Sequence, residues 1–505
     1  MIINTKVLIV GAGPTGLVLA IWLARLGIPF RIIDKNCGPG LASRAMAVHA
    51  RTLEFYRQLG FADEVINSGI RLDHFYLRKN GKSFAELNLK DMGERLSPYP
   101  FVLCFAQDDH ERLLVEKLRA YGVTVEWGVE LTEFSPTDTG VQVELNRSGS
   151  NEVCRVEYLC GCDGAHSRVR QGLKLEFPGG TYNNLFYVAD TRMDGEFNTS
   201  AWANLGTRGF ALMLPVRRSG MQRLIGLVPP EFAERTDLTF DHIRSHVEAL
   251  LHVHVAEVNW FATYHVHHRV AEHFQMGRCF IAGDAAHIHS PAGGQGMNTG
   301  IGDAVNLSWK LANVLDGNAD SSLLKTYEPE RIAFAKVLIS STDTAFQGLA
   351  GTGWGNRFLR SMLIPNLMPI LTRFSAVRHQ IFKTISQIRI HYHDSPLSFG
   401  EAGKLRGGDR LPWVPMLSGD NFESLATLKW QAHVYGTISQ RFADTAKELG
   451  LPVNQFPWSE LTEQAGLAKD AVYLLRPDGH IAMISPLQNP QGLVDFVAKY
   501  KLRFT

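Results

Sequence analysis

Hydrophobic positions along this chain keep two rhythms, and the change from one to the other marks the elements. Residues 6–10 carry a short branched apolar run, VLIV, that predicts a buried strand. It breaks into Gly11, Ala12, Gly13, Pro14, Thr15 and Gly16, and an apolar segment of helical period follows to about Leu26. The next apolar run starts at Phe30 and stops at Asp34. Residues 70–103 and 180–270 alternate apolar and polar in short stretches, as in Phe210, Leu212, Leu214 and Leu224, Gly226, Val228, and predict strands with one covered face. Between them, a helical pattern runs from Gln107 to Gly122, a strand follows to Trp127, and residues 141–145 and 154–159 predict a hairpin. A strand over 278–282 leads through a glycine-rich loop into a long helix ending near Gly317.

Residues 320–395 are helical and apolar, interrupted by Pro365 and Pro369, and suit packing on the first domain or on a second subunit, so a homodimer is compatible. Residues 396–416 mix glycine and proline with charge and predict a linker. Beyond it come strand signals over 425–438, a helix over 441–449, strands over 471–475 and 481–484 joined by Arg476, Pro477, Asp478 and Gly479, and a last helix over 492–500.

At 505 residues the chain exceeds what one core holds, so two or three domains are expected. A net charge of +1 gives no support for nucleic acid or an anionic membrane as partner. No uninterrupted apolar stretch reaches about 18 residues, so no membrane span is expected. Residues 1–4 run straight into the first strand, which leaves no room for a secretion signal and makes a cytoplasmic location the expectation. The six cysteines form no CxxC pair. Cys154, Cys160 and Cys162 approach metal-ligand spacing but lack a fourth ligand, as His265 and His267 lack a third. Buried thiols and no metal site follow.

Three stretches carry chemistry. In the first, Gly11 permits a tight turn, Gly13 lets backbone approach a pyrophosphate, and Gly16 lets the helix lie on the sheet. Asp34, 23 positions after Gly11, suits a ribose hydroxyl. The second runs Cys162, Asp163, Gly164, Ala165, His166, Ser167, Arg168, Val169, Arg170, a strand end passing into a basic helix start. The third places Gly283, Asp284 and His287 after a strand, then Pro291, Gly293, Gly294 and Gly296 before the long helix, a second anion-binding helix start.

These motifs, above all GDAAHIHSPAGGQGMNTGIGDAVNLSWKLA, resemble the single-component FAD-dependent aromatic hydroxylases typified by para-hydroxybenzoate and phenol hydroxylases. The resemblance covers residues 1 to about 395. It implies an α/β fold: a Rossmann-like FAD-binding domain in two parts, 1–180 and 271–395, with an inserted β-sheet substrate domain over 181–270. Gly11, Gly13, Gly16 and Asp34 would hold the ADP half, and Arg44 and Gln107 the pyrophosphate and ribityl region. Asp163 and Gly164 would serve FAD and the reductant, with His166 and Arg170 as contacts for NADPH or NADH. Asp284 would bind the ribityl chain or pyrophosphate, and Pro291 would lie over the flavin edge. Gly294, Gln295, Gly296, Met297 and Asn298 would aim a helix start at the flavin pyrimidine ring. There a helix dipole stabilises the anionic reduced form by about 0.3 to 2 kcal/mol.

The resemblance implies a monooxygenase that spends NAD(P)H and O2 to hydroxylate a small aromatic substrate, phenolic or polyketide, through a flavin C4a-hydroperoxide. An epoxidising or Baeyer–Villiger oxygenase on the same fold, or a non-catalytic flavoprotein, are the alternatives. Trp202, Phe210, Leu212 and Met213 are candidates for the substrate wall. The phenol hydroxylases carry an acid five residues before the arginine of their RTLE segment, where this chain has Met46, so His49 is the nearby titratable group for that task. Arg44, His49 and Pro291 are thus the candidate catalytic residues. Residues 417–505 resemble the thioredoxin-like C-terminal domain of the phenol hydroxylase branch and lack the CxxC that redox exchange needs.

Overall fold

The computed structural model describes residues 3–40, 45–79, 81–90, 92–195, 199–206, 209–217, 220–290, 292–350, 355 and 363–504. Its organising element is the strand Ile3–Val10, whose apolar side chains from Val7 to Val10 are buried. It lies between two parallel neighbours, Phe30–Asp34 and Ser150–Gly161, and the latter pairs in parallel with Cys279–Ile281. Parallel strands need a crossover. The helix Pro14–Arg25 supplies the first one, and its face from Gly16 to Leu23 is buried. Antiparallel strands Val129–Thr137 and Gly140–Arg147 extend the sheet beside Ser150–Gly161.

A second sheet of eight strands is antiparallel over most of its width. Its order is 287–288, 255–270, 179–193, 221–227, 209–217, 200–206, 74–79 and 82–88. Residues 74–88 therefore leave the part built around the first sheet and pair with the later strands, His74 to Arg78 running parallel to Ser200 to Asn204. Their alternation announced strands but could not announce the partner. The helix Phe240–Leu251 covers one face of this sheet through Phe240, Ile243, Val247 and Leu251.

The C-terminal strands form a four-stranded sheet in the order 453–456, 431–435, 472–475, 481–485, with the first pair parallel and the others antiparallel. The strand expected over 425–438 is shorter, Gln431–Tyr435, because Glu423–Thr427 winds into a 3-10 turn. Residues 396–416, expected as a linker, are packed on the C-terminal sheet. Phe399 bridges Met483, Arg410 bridges His480, and Leu397 and Leu411 are buried. Gly408 passes so close to Tyr392 that a Cβ there would sit 2.5 Å from its carbonyl oxygen, which explains glycine in a segment that is packed.

The C-terminal sheet docks on the part built around the first sheet through buried charge. Arg476 donates to Glu330 at 2.9 and 3.1 Å, and Glu330 also accepts from Lys310 Nζ at 2.8 Å. Glu54 accepts from Arg51 at 2.9 Å and from both Nε and Nη2 of Arg410. Trp309 of the helix Gln295–Leu315 meets Trp430 edge to face at 5.5 Å and donates to Asp478 at 3.2 Å. Among the described residues the six cysteines are free thiols, Cys37 exposed and the other five buried.

Candidate functional site

Parallel register brings the three motif turns to one edge. Val10 lies opposite both Ile33 and Gly161, and Gly161 lies opposite Ile281. The residues that follow these strand ends, Gly11, Asp34, Asp163 and Asp284, therefore emerge side by side although up to 273 positions separate them in sequence. Open α/β sheets bind their ligands at such carboxyl ends.

The turn itself is close-packed. Gly11 has φ +102°, and a Cβ there would lie 2.3 Å from the carbonyl oxygen of Cys162. Gly13 by contrast has nothing within 4 Å of where its Cβ would be, so the loop presents bare backbone on that side, as a pyrophosphate requires. Asp34 accepts from the backbone N–H of Ala12 and of Asn36, both at 2.8 Å, which fixes its carboxylate beside the loop. Thr15, Gly283 and Gly300 meet at one point, joining the first helix to the 295–315 helix.

Gln107 accepts from Ala45 N at 3.0 Å and donates to Glu111 at 2.9 Å, while Glu111 accepts from Gly40 N at 2.9 Å. This pair thus holds Gly40 and Ala45. Burial, with smaller contributions from Asp34 and Asp108, raises the pKa of Glu111. Glu111 escaped the sequence reading, although one helical turn after Gln107 is where a partner belongs. Arg44 and Pro291 lie outside the described residues.

Asp163 accepts from Arg168 N at 2.6 Å and Val169 N at 3.1 Å, so it caps the short helix Arg168–Gly172. Its other oxygen, Oδ1, is buried with no hydrogen-bond partner, and burial raises its pKa. Gly164 takes φ +76° directly after it. Arg170, expected to meet the reductant, is buried and donates to the carbonyls of Ala285 at 2.8 Å and Ala165 at 2.7 Å, so it staples the second motif to the third. His166 is exposed. Asp284 is also exposed, at the end of its strand.

At the glycine-rich loop, Gly293 and Gly294 both adopt left-handed backbone before the helix. Asn298 does not point outward from the helix start. It donates to the carbonyls of Ala47 at 2.8 Å and Gly294 at 3.0 Å and accepts from His49 N at 3.0 Å and Thr52 Oγ1 at 2.8 Å. Gln295 donates to Ile385 O at 2.9 Å. Met297 packs half-buried against the core, and Gly296 sits beside His289. These side chains hold the helix start in place. His49 is buried with Nε2 3.2 Å from Gly294 O, and burial lowers its pKa to about 4. It is neutral near pH 7 and packs on the 293–294 turn.

A buried network that the sequence reading missed lies behind this edge. Asp303 accepts from Gly283 N at 2.9 Å, His287 Nε2 at 2.7 Å and Arg331 Nε at 2.6 Å, and Arg331 continues to the Tyr392 hydroxyl at 2.8 Å. These partners outweigh burial and hold the Asp303 carboxyl below its ordinary range.

The four substrate-wall candidates divide between the two faces of the second sheet. Phe210 and Leu212 pack with Leu77, Ala203, Leu205, Ile364 and Met368. Met213 is fully buried beneath the helix Phe240–Leu251, and Trp202, its cross-strand neighbour, packs on the same cluster. Strand alternation puts Leu214 and the buried, bidentate Asp190–Arg223 pair, at 2.8 Å in both arms, on the Phe210 face.

The groups at this edge fit a dinucleotide with charge at its middle: open backbone at Gly13, acceptor carboxylates at Asp34 and Asp284, and a second helix start beyond. Comparison with known proteins agrees. A family described as an FAD binding domain matches residues 4–342. The 6-methylpretetramide 4-monooxygenase of Streptomyces rimosus is 39% identical over 412 residues, 78% of this chain and 71% of its own. The pentachlorophenol 4-monooxygenase of Sphingobium chlorophenolicum is 30% identical over 81% of this chain and 76% of its own. An anhydrotetracycline hydroxylase from Streptomyces rimosus superposes with a TM-score of 0.78 at 26% identity, covering 99% of both chains.

Proposed function

Because the chain belongs to the family of FAD-dependent aromatic hydroxylases, we propose that it hydroxylates a phenolic or polyketide aromatic ring, using O2 and either NADPH or NADH. The observation that carries this reading is the convergence of Gly11–Gly13, Asp34, Asp163 and Asp284 on one edge, with the 295–315 helix packed beside it through Gly300 on Thr15 and Gly283. Gly11, Gly13 and Asp34 bind the ADP half of FAD. Gln107 holds Ala45, the sequence neighbour of Arg44, and Arg44 and Asp284 take the pyrophosphate and ribityl region. Gly294 to Asn298 offer backbone N–H groups to the pyrimidine edge, and Pro291 covers the ring. His49 shapes the turn at Gly293 and Gly294. When bound, the flavin supplies reduction by the nicotinamide and transfer of one oxygen atom to the ring.

The chain's own part is to bind, orient and keep water out. Phe210 and Leu212 offer an apolar wall, and His166 is the exposed group beside the second motif that suits a transient reductant. The monooxygenases that resemble this chain are named for 6-methylpretetramide and pentachlorophenol, which supports an aromatic substrate. The test is NAD(P)H oxidation across a panel of phenols and aromatic polyketides, with products identified by mass. A substrate that stimulates oxidation and gains one oxygen atom supports the proposal. Oxidation that no aromatic compound stimulates, with no oxygenated product, would remove it.

A further inference from the structure

The helix Gln295–Leu315 starts without a side-chain cap, since its N-cap is Gly294. Its first-turn geometry is therefore set by neighbours, and two clamps do it. One is Asn298, which ties the turn to Ala47, His49 and Thr52. The other comes from 385–387, a segment far along the chain that no motif marks. Gln387 Nε2 donates to Gln295 Oε1 at 2.6 Å and to Thr299 Oγ1 at 2.9 Å. In return Gln295 Nε2 donates to Ile385 O at 2.9 Å, and Arg51 N donates to Ser386 O at 3.2 Å.

Gln387 is buried and holds φ +61°, a left-handed conformation that is unfavourable for a side-chain-bearing residue. Strain of this kind persists where the surroundings over-determine it, and it clusters at functional sites. Glycine would meet the backbone requirement with less strain. A glutamine here, with its amide directed at the first turn of one helix, indicates that the side chain is what the position needs. The segment is anchored in turn by Tyr392 on Arg331 and by Ser395 on Glu330, and Glu330 is held by the C-terminal turn through Arg476.

We propose that Gln387 is a positioning residue that sets the reduction potential of the bound flavin through the first turn of the 295–315 helix. The inference rests on the reading above, in which that turn faces the flavin pyrimidine edge. The field of a helix start falls off within one turn, so a small displacement changes the stabilisation of negative charge at that edge. Without the Gln387 amide, Gln295 and Thr299 lose their shared donor and the turn relaxes away from its set position.

The test uses the full-length protein with FAD and two variants, Gln387→Gly, which keeps the left-handed backbone, and Gln387→Asn, which tolerates it but is too short to reach both acceptors. The potential is measured by dye equilibration without substrate, alongside the flavin absorption spectrum and the melting temperature. Both variants should hold FAD and reduce with an equilibrium constant about three- to tenfold lower, equivalent to about 15–30 mV for two electrons. A parent-like potential in both variants overturns the proposal, including the case where only the melting temperature falls. If one variant does not fold, the other decides. Parent protein that takes up no FAD defeats the flavin reading itself, a different result from an unmoved potential.

Discussion

Replacing Glu330 by glutamine removes one negative charge and changes almost no volume, yet the structure gives it a large expected cost. Glu330 is buried and accepts from Arg476 at 2.9 and 3.1 Å, Lys310 at 2.8 Å, Asn306 at 2.7 Å and Ser395 at 2.6 Å. Burial alone would raise its pKa, but Arg476 and Lys310 prevail and hold it at about 2, against an ordinary 4.5. That difference contributes about 3 kcal/mol, fully present above pH 4.5 and lost as the pH falls towards 2. Removing one partner of a buried pair costs about 3–5 kcal/mol by independent measure. Arg476 keeps Asp478 as a counter-charge, so Glu330→Gln should cost about 3 kcal/mol at pH 7, near the lower limit.

The pH dependence of that cost is the sharper test. Burial already lowers Lys310 to about 8 with Glu330 beside it, and without the carboxylate it falls further. The folded variant then carries a neutral Lys310 while its unfolded chain carries a protonated one, so the variant gains stability with rising pH. The parent, whose folded Lys310 stays mostly protonated until the pH nears 8, gains far less. The penalty should therefore shrink between pH 6 and 8. Urea unfolding followed by tryptophan fluorescence at both pH values measures it. A loss below about 1 kcal/mol, or a penalty that grows with pH, would refute the reasoning.

Asp284→Ala should weaken FAD binding by about 1.5 to 3 kcal/mol through loss of a charged acceptor, read by titrating apoprotein with FAD. Arg44→Lys should slow substrate-stimulated flavin reduction and divert more NAD(P)H to peroxide at near-normal FAD content, because an ammonium cannot reproduce the guanidinium fork. Truncation at Gly408 should yield insoluble protein, since it leaves Glu54 without Arg410 and Glu330 without Arg476. Urea unfolding should show stability falling progressively as the pH drops below 6.5. Burial holds His49 and His480 near 4 and His110 and His433 near 3, so each contributes stability above 6.5 that is lost as the pH falls towards those values.

What was legible in the sequence is what local chemistry dictates. Gly11, Gly13, Gly16 and Asp34 announce a strand, a tight turn, a helix lying on the sheet and a second strand ending in an acid, and the structure has that order. The structure places Asp163 and Asp284 on the same edge for the reason that their strands are parallel to the first. Alternation could also have separated Met213 from Phe210 and Leu212, since one position along a strand reverses the face.

The docking charges were not legible. Arg410, Arg476 and Glu330 look like ordinary surface residues in sequence, and their partners lie up to 356 positions away. Burial inverts their meaning, and burial is a property of the assembled chain. The packed course of 396–416 was hidden similarly: its glycines and prolines read as a linker, whereas at Gly408 Tyr392 leaves no room for a Cβ.

The central claim is that this chain places one atom of O2 on an aromatic ring by means of bound FAD. A single-turnover experiment addresses it most directly: the purified holoprotein is reduced without oxygen, mixed with an aromatic substrate that stimulates reduction, and exposed to isotopically labelled O2. The account predicts product carrying one labelled oxygen on the ring, with the second label in water. Labelled peroxide alone with unchanged substrate, for every aromatic compound that speeds flavin reduction, would contradict it.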